Sequence, residues 1–171
     1  MNAEPPFTRP VALRVDQVST GLQIAADADE RAGVAEELDL LALDRLTAEG
    51  ELARHARGLV WQGRVRANVT QACVVTFEPI HRAIDVAVER LFVLGSTPAT
   101  GEVAVEPEDP DIEYLTEPTI DLGALAVEEL ALALDPYPRS AGADAVVDRY
   151  RAAEPASGGA FGVLARRRLD A

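Results

Sequence analysis

The sequence predicts an α+β fold: an antiparallel β-sheet or partial barrel of about five to six strands, with a long hairpin at 59–94, packed by a helix at 121–135. Three stretches carry that reading. In Leu59–Cys73, Val65, Ala67, Val69, Gln71 and Cys73 trade places with Arg64, Arg66, Asn68 and Thr70. In the run ending at Leu94, Ile84, Val86, Val88, Arg90 and Phe92 alternate with Asp85, Ala87, Glu89 and Leu91. Alternation at every residue turns one face toward a core and the other toward water. Between the two runs lies a corner, Cys73–Pro79. The third stretch, Ile120–Asp135, places Leu122, Leu125, Ala126, Leu130, Ala133 and Leu134 on one helical face, widened by Val127 and Leu132. A face that broad must be buried, most simply across one face of the sheet.

From the N-terminus, Met1–Pro6 is expected to be disordered. Phe7–Val15 reads as extended, and Pro10 confines it to an edge or a strand start. Gln17–Gly21 has turn composition, and Gly21–Ala26 alternates as a second short strand. Asp27–Glu37 starts as a helix should: Asp27 or Asp29 can cap the exposed amides, and Glu30 adds favourable charge to the first turn. Ala32, Val34, Ala35 and Leu38 give it a thin apolar stripe, and Gly33 weakens it by about 1 kcal/mol relative to alanine.

Asp39–His55 admits a strand or, over Leu43–Arg54, a helix. Leu40, Ala42, Leu46, Ala48 and Leu52 share one parity, interrupted at Asp44 and Gly50, and Ala56–Gly58 is short enough for a hairpin loop. The strand, long and bent, is preferred. After the central hairpin, 95–110 reads as an acidic surface loop and Asp111–Leu115 as one more short strand, with Ile112 and Tyr114 on one face. The long helix is capped by Asp121 and stopped by Pro136. Residues 140–171 read as a linker with one helical turn and an amphipathic tail, Phe161–Leu169. The expectation is a single domain over 1–171 with an ordered core at about 7–138.

Charge narrows the function classes. The chain has 29 acids against 16 bases, a net charge of -13, and every base is arginine. Such a field repels phosphate backbones, so sequence-independent RNA binding is disfavoured and a basic protein partner is expected. With one cysteine, no transmembrane-length apolar run and no signal peptide, the protein is expected to be soluble and cytoplasmic.

Nothing in the sequence assembles a catalytic centre. Cys73 as a nucleophile needs a nearby base, for which His81 is the candidate, but the burial habits of cysteine favour packing. One cysteine with His55 and His81 far apart lacks the spacing of a metal site. Glu128 and Glu129 point about 100° apart on a helix and form no catalytic carboxylate pair. No phosphate loop, nucleophile triad or dinucleotide fingerprint occurs, and no cofactor or small-molecule substrate is expected. The candidate interaction surface is Arg64, Arg66 and Asn68 on the polar face of the strands, Glu128 and Glu129 on the helix, and Arg166, Arg167 and Arg168 in the tail. That tail is also an alternative route to direct RNA contact.

The corner Cys73-Val74-Val75-Thr76-Phe77-Glu78-Pro79, the helix from Asp121-Leu122 through Glu128-Glu129-Leu130-Ala131-Leu132-Ala133-Leu134, the exit Pro136-Tyr137-Pro138 and the tail Phe161-Gly162-Val163-Leu164-Ala165 follow one another in that order. Together they resemble the YceD family, the large ribosomal RNA subunit accumulation proteins, over roughly Phe7 to Ala165. The family's corner is commonly C-x-x-C followed by a proline. Here Cys73 and Pro79 match, while Thr76 stands at the second cysteine, a departure that removes any two-cysteine metal or redox role. The tail matches from Phe161 onward and lacks the family's preceding Asn-Pro. The resemblance implies a non-enzymatic role in the synthesis, processing or accumulation of large-subunit (23S) ribosomal RNA. Cys73, Thr76, Pro79, Asp121, Leu122, Pro136, Pro138 and Phe161 are then structural motif positions.

Overall fold

A computed structural model describes residues 5–14, 19–95 and 111–153. The elements in order are β1 (Pro10–Ala12), β2 (Ser19–Ala25), α1 (Ala28–Glu37), β3 (Ala42–His55), β4 (Gly58–Ala72), β5 (Pro79–Leu94), β6 (Asp111–Leu115), β7 (Thr119–Asp121), α2 (Leu122–Ala133) and α3 (Ala143–Ala153). The chain divides into two units. The first comprises Met1–Gln71 and His81–Pro136, the second Ala72–Ile80 and Tyr137–Ala171.

In the first unit, the five-stranded sheet has the order β2-β3-β4-β5-β6 and does not close, while β1 and β7 form a separate two-stranded sheet. The fold is α+β, as the sequence predicts. β2, β3 and β4 pair antiparallel. Between β4 and β5 the contacts run in opposite senses: Gly58 lies against Phe92, Arg64 reaches Asp85, and Thr70 reaches His81. β6 departs from the all-antiparallel expectation. It pairs parallel with β5, Arg90 opposite Asp111 and Leu94 opposite Leu115. A parallel return needs a crossover of roughly a dozen residues or more, and 95–110 is long enough to supply it.

Within Asp39–His55 the preferred strand is present over Ala42–His55, and its parity shift has a specific cause. The register slips between Leu43 and Arg45, leaving Asp44 as the extra residue of a bulge. Leu43 is therefore buried on one side of the bulge, and Leu46, Ala48 and Leu52 on the other, whereas Ala42 and Leu40 are only half-buried. A bulge bends a strand and strengthens its twist. Further along, Gly50 pairs with Gly63 beside the buried Trp61. A Cβ on Gly63 would stand 2.6 Å from the indole and 2.5 Å from the Glu49 carbonyl, so the ring covers backbone that only glycine leaves bare.

The caps read from sequence are present. Asp27 accepts from the Glu30 amide at 2.9 Å while Glu30 accepts from the Asp27 amide at 2.8 Å, a capping box. Asp121 caps α2 by accepting from the Gly123 and Ala124 amides at 2.9 and 3.1 Å, and from the Arg9 amide at 2.7 Å. Glycine at 123 lets the N-terminal segment cross this helix end, since a Cβ there would meet the Phe7 carbonyl at 2.5 Å.

The start of the chain is more integrated than expected. Phe7 is fully buried in the core. Arg9 stacks 4.7 Å from its ring centroid and forms a two-pronged bridge to Glu30 at 2.6 and 2.9 Å. Pro6 packs where a Gly33 side chain would be, so Gly33 marks a close approach as well as a weak helix former.

α2 packs on β3 and β1. Leu122, Leu125, Ala126 and Leu130 are buried. Leu132, expected to widen the buried face, is instead 73% exposed, and Ala133 and Leu134 are only half-buried. The contact stripe is thus narrower than the helix's apolar circumference.

The second unit contains the corner and α3. The stretch 140–159, expected to be a linker with one helical turn, holds an 11-residue helix, Ala143–Ala153. Its first amide, on Ala143, donates to the Ser140 carbonyl at 3.0 Å, and no glycine or proline falls within it, so nothing interrupts it. Phe161, Arg166, Arg167 and Arg168 lie outside the described residues.

Candidate functional site

The polar face of the sheet holds the first candidates. Arg64 and Arg66 project from β4 and both reach Asp85 of β5, at 2.8 and 3.4 Å, and Arg66 also reaches Glu49 of β3 at 2.5 Å. The Arg64 hydrogen bond, then Arg66, holds the Asp85 carboxyl below the usual carboxylate range. Asn68 is exposed opposite Arg45. These arginines are therefore tied into a cross-strand network of both signs, whose exposed pairs contribute little each. They do not make a basic patch.

Glu128 and Glu129 converge where sequence reasoning separated them. Arg90 belongs to the core-facing row of β5 and is buried. Its guanidinium spans both carboxylates, at 3.1 Å to Glu128 and 2.7 Å to Glu129, with Glu113 at 3.7 Å. Burial disfavours the Arg90 charge, and the hydrogen bond and field of Glu128, with Glu129 and Glu113, more than offset it. Glu129 is shifted upward: desolvation dominates, and Glu128 and Asp111 add repulsion that the shared Arg90 only partly cancels. An open hollow of about 460 Å³ lies beside this group, lined by Arg90, Asp111, Ile112, Glu113 and Glu128. Arg90 was legible as a charge in an otherwise apolar row, facing a helix that carries adjacent glutamates.

In the second unit the corner is organised around sulfur. Cys73 is fully buried and accepts from the amides of Val75, Thr76 and Ser140 at 3.4, 3.4 and 3.3 Å. Burial pushes the thiol up, but hydrogen bonds from the Thr76 side chain and from these three amides outweigh it and bring the pKa down to about 6. No histidine is among the groups bonded to this sulfur, and the Nδ1 of His81 engages Thr70 Oγ1 at 2.8 Å. Thr76 Oγ1, Ser140 Oγ and Glu78 form a closed triangle of contacts at 3.0 to 3.2 Å. Val74 donates to the Pro138 carbonyl at 2.9 Å. The corner ends at Pro79, the first residue of β5.

Phe77 is the strained residue of this turn. Its φ is +60°, and its ring is 78% exposed. Left-handed backbone at a bulky residue costs about 1–2 kcal/mol. Val74 and Tyr137 are exposed as well, Tyr137 at 75%.

Charge is divided unevenly between the units. Of the 29 acids, only Glu78, Asp144, Asp148, Glu154 and Asp170 fall in the second, leaving 24 in the first. Of the 16 arginines, Arg139, Arg149, Arg151, Arg166, Arg167 and Arg168 fall in the second, leaving ten in the first. The first unit therefore carries a formal charge of -14 and the second +1. Among the described residues no group of three or more His, Cys, Asp or Glu is placed to hold a metal ion, and no helix is long and apolar enough to cross a membrane.

A protein-family model described as "Large ribosomal RNA subunit accumulation protein YceD" matches residues 61–156, more than half of the 171. The chain belongs to the YceD family. The matched region runs from Trp61 past the end of α3, so it takes in β4, the Cys73 corner, β5, α2 and the Pro136–Pro138 exit. The family's description connects YceD proteins with accumulation of the large ribosomal RNA, and YceD is not a known enzyme family. No curated protein and no solved structure matches the chain.

Proposed function

We propose that the protein is a non-enzymatic factor that supports accumulation of large-subunit (23S) ribosomal RNA in the cytoplasm by holding a basic protein, a ribosomal protein or an assembly factor. The observation that carries this reading is the charge of the first unit, 24 acids against ten arginines. A surface of that sign steers a basic partner toward it and discourages the phosphate backbone. The hollow beside Glu113, Glu128 and Asp111 offers concave acidic surface to an arginine or lysine of the partner. The buried Cys73, its sulfur engaged by amides rather than by a base, supports the non-enzymatic reading.

Copurification with the tagged full-length protein at low and high salt tests the proposal. The expected result is a basic ribosomal protein or assembly factor that is released as salt rises. Finding none at any salt, or normal levels of large-subunit RNA in a deletion strain, would overturn it.

A further inference from the structure

The first unit's charge leaves open how a factor for ribosomal RNA could meet RNA itself. Nucleic acid is repelled least by the second unit, where five acids face six arginines. There the turn 73–79 and the irregular exit segment 137–140 bring four exposed side chains to one corner. The Val74 amide bonds the Pro138 carbonyl, so Val74 and Tyr137 flank one contact. The Thr76 and Ser140 hydroxyls lie 3.2 Å apart, so Phe77 and Arg139 flank a second. Phe77 is held out by a left-handed backbone that most side chains avoid, its ring 78% exposed. Among the described residues Arg139 pairs with the exposed Asp144 at 3.0 Å, a pairing weak enough to exchange for phosphate.

Aromatic rings beside an arginine suit unpaired bases. Stacking on a ring is tolerant of sequence, and single-stranded segments are where proteins reach RNA bases, because the major groove of an RNA duplex is too deep and narrow to read. We infer that Phe77 and Tyr137 form a stacking platform for unpaired RNA, with Arg139 placed for the adjoining phosphate. The inference rests on the reading that the protein serves ribosomal RNA, and adds a direct contact on the unit opposite in charge to the one that holds the protein partner.

The test is fluorescence anisotropy of the full-length protein with a labelled single-stranded RNA of about a dozen nucleotides, and with the same strand annealed to its complement. The single strand is expected to bind roughly tenfold more tightly than the duplex, with a shallow salt dependence because few phosphates are contacted. Phe77→Gly is the decisive variant: glycine suits the left-handed backbone, so the thermal midpoint holds or rises while affinity for the single strand falls roughly tenfold. Tyr137→Ala should lower affinity in the same direction.

No binding at low salt, equal binding of strand and duplex, or an unaltered affinity in Phe77→Gly would each overturn the inference. So would a Phe77→Gly protein that keeps its RNA affinity but loses a copurifying protein, which would make the turn a protein dock. These outcomes are separable from the broader function. If RNA binding fails while a deletion strain still loses large-subunit RNA, only the platform falls. If RNA binding holds and large-subunit RNA is normal without the protein, the function falls and the platform stands.

Discussion

The two units are held together by different physics. The first buries a continuous apolar core running from Phe7 and Val34 through Leu46, Trp61, Val65 and Phe92 to Leu130. The second has almost none: among its described residues Cys73, Pro138 and Ala143 are buried, Val75, Ile80, Val146 and Val147 are half-buried, and Val74, Phe77, Tyr137 and Tyr150 are exposed. What fixes it is a set of hydrogen bonds converging on one sulfur and on the Thr76–Glu78–Ser140 triangle. Apolar burial is non-directional and tolerates adjustment, whereas a polar network fails when one partner is lost. A unit that keeps its aromatic rings outside is available for contact and must find its order elsewhere.

Core truncation breaks this contrast most directly. Leu130→Ala should cost about 3 kcal/mol, because Leu130 is fully buried and the site can collapse only in part. Trp61, the only tryptophan and also buried, reports unfolding of the first unit by fluorescence. Cys73 alkylation reports opening of the second. Denaturant titration read both ways should show Leu130→Ala moving the tryptophan transition. In the wild type, alkylation should begin at lower denaturant than the loss of tryptophan signal. Coincident transitions would mean that the two units unfold as one and the contrast has no energetic content.

Arg90 is the place where the first unit behaves like the second. Removing one partner of a buried pair leaves charge unsatisfied, so Arg90→Ala should cost about 3 kcal/mol. Glu128→Gln should cost less than about 1 kcal/mol, because Glu128 is half-exposed and Glu129 keeps its 2.7 Å bond. Replacing Arg90 by Met together with Glu129 by Leu should recover most of the loss, since a packed apolar pair can match a buried ion pair. Chemical denaturation checks all three. A double variant as unstable as Arg90→Ala would show that the network contributes more than compensation for its own burial.

The sequence made part of this contrast visible. Period-two alternation located β4 to within a residue or two, because one face of it is buried along most of its length, and marked β5 only from Ile84 onward, where Val88, Arg90 and Phe92 are buried. Asp27 and Asp121 were recognisable as caps because capping is a local matter between a side chain and the next few amides. The bulge at Asp44 was visible only as an interruption, since the parity of a strand is settled by its partner's register. The parallel placement of β6 depends on where 95–110 returns the chain, which no local pattern encodes. At the candidate site, the arginines of β4 were found as an exposed row, but their pairing to Asp85 and Glu49 needed the cross-strand register. Phe77 gave no signal, because its left-handed backbone follows from closing the turn between Cys73 and Glu78, whose carbonyl accepts from the Cys73 amide at 2.9 Å.

Loss of a single hydroxyl sharpens the contrast on the polar side. Thr76→Val keeps the shape of the side chain and removes the hydroxyl that acts on the sulfur and also bonds Glu78 and Ser140, at a cost of about 1–2 kcal/mol. Its more specific effect is on titration. In the folded protein the Cys73 thiol sits at about 6, against about 8.5 for an ordinary cysteine. A depressed acid pKa means that the folded state binds fewer protons than the unfolded chain between those values, so stability rises with pH across that window. The contribution is full above the unfolded value, fades as pH falls through about 6, and is gone below. The ultraviolet absorbance of the thiolate, with a Cys73→Ser protein as blank, should titrate near 6 in the native wild type and higher in Thr76→Val. Resistance to alkylation should grow from pH 6 toward 8.5 in the wild type, after correction for the intrinsic reactivity of the open chain, and grow less in the variant. A native midpoint at the ordinary value would mean that the amides around Cys73 only pack against the sulfur. The second unit would then owe its order to the Thr76–Glu78–Ser140 triangle alone.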